Sequence, residues 1–192
     1  MSQTWVALVR GINVGRAKRI AMLDLRNLLE SLGYSDVRTH GQSGNAVFLS
    51  GQGNAAAIEE EISKRIRSDF RMDTSVLVRT ATEFVTAVDA NPFMARGVAP
   101  NELHVAFLSA EPAAAKKAGL DRAAFAPDEF AFGKRVIYVR LPNGITGSTL
   151  PDWERALGVR VTQRNWNTST KLRDLLSSAA IGCGVSAPHP RG

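Results

Sequence analysis

Three short polar segments gather most of the residues that could handle charge: Arg10-Gly11-Ile12-Asn13-Val14-Gly15, His40-Gly41-Gln42-Ser43-Gly44-Asn45 and Arg164-Asn165-Trp166-Asn167-Thr168. In the first, glycines leaving a strand let backbone N–H groups approach an anion, with Arg10 and Arg16 as charged arms. The glycine spacing is not the G-x-G-x-x-G of a dinucleotide fold. The competing reading is a tight strand-to-helix turn in which Asn13 bonds its own backbone. The second segment imitates a nucleophile elbow, G-x-S-x-G, but Asn45 stands where the last glycine belongs. A serine nucleophile would also need a base. The chain has only His40, His104 and His189, and no carboxylate is placed to orient His40. The segment therefore reads as a hairpin turn presenting Ser43 and Asn45 beside Arg10.

The third segment ends a strand and opens the last helix. Asn167 or Thr168 is the expected N-cap, Trp166 either plugs the core or offers a stacking face, and Arg164 suits a phosphate or carboxylate. Arg164 is expected on an exposed edge, where its removal would cost under about 0.5 kcal/mol. Together these segments nominate Arg10, Asn13, Ser43, Asn45, Arg164 and Asn165 as one ligand-binding surface. Asn143 to Thr149 lacks the lysine of a phosphate loop. No Cys/His spacing suits a metal, and no cofactor is implied.

The elements that must carry these residues follow from periodicity. Trp5 to Arg10 is a short apolar strand; Met22, Leu25, Leu29 and Leu32 make a helical stripe stopped by Gly33. Two short strands flank the HGQSGN loop. Asn54 caps a helix bearing Ile58, Ile62, Ile66 and Phe70, and Ser75 to Thr80 is a further strand. That order is βαββαβ, the ferredoxin-like plan. Its first and third strands are antiparallel neighbours, so Arg10 should meet Gly44 and Asn45. Thr80 and Glu83 suit a capping box for a linking helix. A second βαββαβ order follows, with strands at His104–Ser109, Phe130–Phe132, Val136–Arg140 and Val159–Thr162, and a final helix carries Leu172, Leu175, Leu176 and Ala179. The fold class is α+β: two ferredoxin-like (βαββαβ) lobes plus a C-terminal helix. The expected division is 1–80, a linking helix and loop over 81–101, a second lobe with the C-terminal helix over 102–182, and a tail over 183–192.

Composition sets the outer bounds. The chain has 192 residues, 44% hydrophobic and 22% charged, within the range of an ordinary folded protein. The apolar run at Trp5–Val9 is too short for a membrane span, and the lone Cys183 cannot form an internal disulfide, so a cytoplasmic protein without membrane contact is expected. The net charge of +6 is uneven. Residues 1–26 hold five basic residues against Asp24, residues 153–192 hold six against Glu154 and Asp174, and the middle is slightly acidic. Basic ends that met in space would suit an anionic small molecule or nucleic acid. The alternative is that these cations solvate helix faces.

The stretches VRGINVG, LGYSDVRTHGQSGNAVF, NPF at 91–93 and VTQRNWNTSTKL resemble, in combination, the bacterial domain-of-unknown-function 1697 family. The resemblance implies a compact α+β protein of two ferredoxin-like lobes and no known activity. It also implies a glycine where this chain has Arg16 and a tyrosine at the place of His40, so chemistry requiring His40 is not the family's shared property.

Three functions stay open at this point. The first binds a phosphate-bearing or other anionic ligand at the loops. The second is an enzyme acting on a small polar substrate in an inter-lobe cleft, and the third a protein-interaction module without a pocket. RNA binding on an open sheet face is disfavoured, because Trp5–Val9 and Ala46–Leu49 read as strands buried on both faces.

Overall fold

A computed structural model describes residues 2–13 and 19–182. The first half of the chain runs β1 (Gln3–Val9), α1 (Met22–Ser31), β2 (Ser35–His40), β3 (Asn45–Ser50), α2 (Ala55–Phe70) and β4 (Val76–Thr80). Its strands form one antiparallel sheet in the order β2-β3-β1-β4. Period-two alternation sends Trp5, Ala7, Val9, Phe48 and Val78 to one face, under α1 and α2. There α2 contributes Ile58, Ile62 and Ile66, four residues apart and fully buried. The Asn54 side chain accepts from the Ala56 N–H at 3.0 Å to start this helix, as its position predicts.

The second half repeats the plan with α3 (Ala81–Asp89) as the connection, then β5 (Leu103–Leu108), α4 (Ala114–Ala118), β6 (Glu129–Gly133), β7 (Val136–Arg140), α5 (Trp153–Leu157), β8 (Val161–Asn165) and α6 (Trp166–Gly182). The sheet order is β6-β7-β5-β8, again antiparallel throughout. The α+β fold of two ferredoxin-like lobes with a C-terminal helix therefore stands. Thr80 and Glu83 form the expected capping box of α3.

The opposite faces of the two sheets meet in a shared core. Val6, Leu8, Val47 and Leu77 come from the first sheet, and Val105, Phe107 and Tyr138 from the second. Phe84 and Val88 of α3 and Trp166, Leu172 and Leu176 of α6 fill the same core, with Phe84 stacked on Phe107 at 4.9 Å. Trp166 is thus a core plug, and among the described residues both faces of each sheet are packed against core. Among the described residues no helix is long and apolar enough to cross a membrane.

The main correction lies at the end of the chain. The last strand runs from Val161 through Asn165, three residues beyond the expected Thr162, and α6 starts at Trp166. The N-cap is consequently Asn165, whose Oδ1 accepts from the Thr168 N–H at 2.8 Å, in place of Asn167 or Thr168. Arg164 now lies within β8 and is only 8% exposed, which overturns the expectation that it is exposed. Arg16, Cys183, His189 and the tail over 183–192 lie outside the described residues.

Two glycines in the same loop region separate backbone strain from steric collision. Gly44 has φ +72°, and a Cβ there would stand 2.6 Å from Ile12 Cδ1 and 2.8 Å from Val9 Cβ. Gly11 has φ +63° with nothing within 4 Å of the same position. Gly11→Ala should therefore cost about 1 kcal/mol and Gly44→Ala about 2–4 kcal/mol in urea melts. Equal losses would mean that the Gly44 contact relaxes without cost.

Candidate functional site

The end of β1 and the HGQSGN turn meet as the topology requires: Leu8 pairs with Asn45, and the Val9 N–H donates to Gly44 O at 2.8 Å. Arg164 enters this junction from the second lobe. Its Nε donates to Asn45 Oδ1 at 2.5 Å, and Nη2 donates to Val9 O at 2.8 Å and Ser43 O at 2.9 Å. Nη1 donates to Gln163 O at 2.9 Å. The buried cation thus has four neutral oxygens around it and no carboxylate, contrary to the buried ion pair that a structural arginine would suggest. Burial pushes its pKa down to about 10, which leaves it charged at neutral pH.

The other nominated residues are close by, with most of their bonding capacity committed. Asn45 is 1% exposed and donates from Nδ2 to His40 O at 3.0 Å. Asn13 (φ +58°) donates to Ile20 O and Gln42 O and accepts from the Ile20 N–H, so it pins its loop to the HGQSGN turn. Asn165 caps α6. Arg10 pairs with Glu154 at 2.8 Å and is half-exposed. Arg10, Ser43, Arg164 and Asn165 do share the wall of one cleft of about 470 Å³, together with Asp152 and Glu154. Its two cations therefore face two acids. Some of the basic residues near the chain ends are ion-paired as well: Arg160 with Glu59, and Arg173 with Asp89 and Asp174.

The registers reveal a correspondence that the sequence hid. Val9 pairs with Val76, and Val6 with Arg79; Leu108 pairs with Val161, and Val105 with Arg164. Arg79 thus occupies in β4 the place of Arg164 in β8, and Leu108 the place of Val9. The interactions are reciprocal. Arg79, 4% exposed, donates from Nη1 to Val78 O and from Nη2 across the lobes to Leu108 O. Each arginine is followed at once by the N-cap of a central helix, Thr80 for α3 and Asn165 for α6.

The surroundings of the two arginines differ. The first lobe's hairpin closes His40 to Asn45 around a four-residue loop, whose Ser43 carbonyl and Asn45 amide serve Arg164. In the second lobe, Gly133 pairs with Val136 around only Lys134 and Arg135. Val136 there takes the place of Asn45. The shorter turn brings no comparable acceptor to Arg79. Beside it lies a pocket of about 480 Å³ between α3 and the β6–β7 hairpin. Its apolar wall includes Phe107, Phe132, Val136, Tyr138 and Ala87, and its charged groups are Arg79, Glu83, Lys134 and Arg135. The Tyr138 hydroxyl donates to Ala87 O at 2.7 Å and closes the floor, and burial pushes its pKa up to about 12. Sequence reasoning missed this pocket. A lone Arg79 in an apolar strand was the available signal.

Among the described residues no group of three or more His, Cys, Asp or Glu side chains could hold one metal ion. The family model described as "Protein of unknown function (DUF1697)" matches residues 2–138. No curated protein matches the chain. Among solved structures it is similar to the conserved bacterial protein SP0830 from Streptococcus pneumoniae. The TM-score is 0.71 at 22% identity, over 92% of this chain and 99% of that one, a likeness of fold.

Removing Arg164 leaves a cavity and strips the donor from Val9 O, Ser43 O and Asn45 Oδ1. Arg164→Ala is expected to lose about 3–5 kcal/mol in urea melts. Arg164→Lys should recover less than half of that, because an ammonium cannot reproduce the planar fork. A loss below about 0.5 kcal/mol would return Arg164 to the class of surface residues.

Proposed function

The chain belongs to the DUF1697 family, whose description names no activity, and from its geometry we propose a protein that binds a small molecule in the α3 pocket without transforming it. The observation that carries the reading is the pocket's composition: about 480 Å³ of space beside aromatic and aliphatic side chains, with a few polar and charged groups among them. That volume suits a molecule of roughly 12–25 heavy atoms. Binding is favoured over catalysis by the roles its polar groups already have. Glu83 completes the capping box of α3, and the Tyr138 hydroxyl is bonded to a main-chain carbonyl. Neither is paired with a nucleophile. The reading puts the protein in the cytoplasm, where a chain whose one cysteine is Cys183 folds without disulfides.

The test is fluorescence titration with N-phenyl-1-naphthylamine, a neutral apolar probe. The expected result is saturable one-to-one binding with a Kd of about 10–100 µM. Thr86→Trp, on the exposed side of α3 at the pocket wall, should abolish it with an unchanged melting curve. Binding that does not saturate, or that survives Thr86→Trp, overturns the reading.

A second reading keeps the ligand at the loop cleft. It is favoured by the convergence of Arg10, Ser43, Arg164 and Asn165 on one wall. Glu154 already occupies Arg10, so a small polar anion would compete with that carboxylate. Glu154→Gln should then strengthen binding of inorganic phosphate by about fivefold or more in calorimetry. No phosphate binding by either protein removes this second reading.

A further inference from the structure

We propose that the α3 pocket selects an amphipathic monoanion: a carboxylate on an aryl or medium-length alkyl body, with its head between Arg79 and Arg135 and its body against Phe107, Phe132 and Tyr138. The proposal rests on the pocket being the binding site argued above. Its first support is charge. Three cations, Arg79, Lys134 and Arg135, line the pocket against Glu83 alone, and Glu83 is engaged with the α3 N-terminus. Arg79 is buried with hydrogen bonds only to two main-chain carbonyls. Its counterpart Arg164 receives an amide oxygen and a loop carbonyl besides. Among the described residues Arg79 therefore has no hydrogen bond to another side chain, although the Glu83 and Glu59 charges act on it.

Arg135 supplies the second support. Its Nη2 donates to Ser109 O at 2.7 Å, its Nη1 stands 3.9 Å from Glu83, beyond hydrogen-bond reach, and its Nε is buried with no acceptor. An oxygen brought to Nη1 supplies an acceptor that this end of the guanidinium lacks, with Nη2 still held on Ser109 O. Arg135 also sits close enough to Arg79 to depress its pKa, second only to burial as a cause. A carboxylate between the two replaces this repulsion with attraction and can accept from both forks. The largely apolar wall sets the rest of the ligand. A bare inorganic anion would leave the aromatic surface wet, and a second negative charge would face Glu83 and cost more to desolvate. A single charge on an apolar body satisfies both ends of the pocket.

Displacement of bound N-phenyl-1-naphthylamine by 4-phenylbutyrate and by 4-phenylbutyramide isolates the head group, since the two share one body. The acid is expected to displace the probe at a tenfold or more lower concentration than the amide. That advantage should shrink as salt rises and vanish in Arg135→Gln. Lys134→Glu, a charge reversal at the exposed hairpin tip, should reduce it about threefold or more and covers the case in which the Arg135 variant does not fold; an undiminished advantage there would overturn the proposal. Equal displacement by acid and amide from a parent that binds the probe overturns the anion selectivity and leaves the small-molecule reading intact. Failure of the parent to bind the probe, with no calorimetric signal for the acid, overturns both. Displacement by inorganic phosphate as effective as by the acid overturns the amphipathic ligand in favour of a bare anion site.

Discussion

A buried arginine reaching across the lobe boundary is the constraint around which the rest of this structure is arranged. Arg164 belongs to the last strand of the second sheet, yet three of its four acceptors, Val9 O, Ser43 O and Asn45 Oδ1, belong to the first. A guanidinium removed from water is costly, and neutral oxygens compensate only when several are held in the plane of its N–H groups. Holding them explains much of the polar sequence nearby. Asn45 must sit at the start of β3, Asn13 must fasten its loop to the turn, and Gly44 must let the backbone pass against Ile12. Residues that look like binding chemistry thus serve first to build a receptacle for one side chain of the other lobe.

The reciprocal contact of Arg79 with Leu108 O makes the two lobes mutual hosts. Between the two crossings, α3 and α6 start directly after their arginines and carry the apolar residues of the shared core. Each crossing therefore fixes both the lobe boundary and the start of a central helix, and the stacked Phe84 and Phe107 bury the hydrophobic area that the polar contacts orient. The asymmetry comes from the hairpins. A four-residue turn serves Arg164 with acceptors, while a two-residue turn leaves Arg79 beside a pocket. One scaffold position, repeated, gives structure on one side and a candidate ligand site on the other.

The likeness to the pneumococcal protein, at 22% identity, concerns the fold, and this fold hosts many activities. Function has to be argued from the chain's own charges. The loop cleft balances two cations with two acids, whereas the α3 pocket sets three cations against one.

What the sequence determined by itself is what local periodicity and short-range chemistry encode. The isoleucines of α2, the Thr80–Glu83 capping box, the Asn54 cap and the apolar strands led to the correct lobe plan, because each signal acts within a few residues of its cause. The plan placed Arg10, Gly44 and Asn45 together, since adjacency of the first and third strands follows from topology alone. Only tertiary structure decided what those side chains do. Whether Arg164 faces solvent or a set of oxygens depends on residues about 120 to 155 positions away, which supply three of its four acceptors. The α3 pocket was equally hidden. It exists where β4 and α3, consecutive in the chain, meet the β6–β7 hairpin of the other lobe, and no local signal brings that distant hairpin to them.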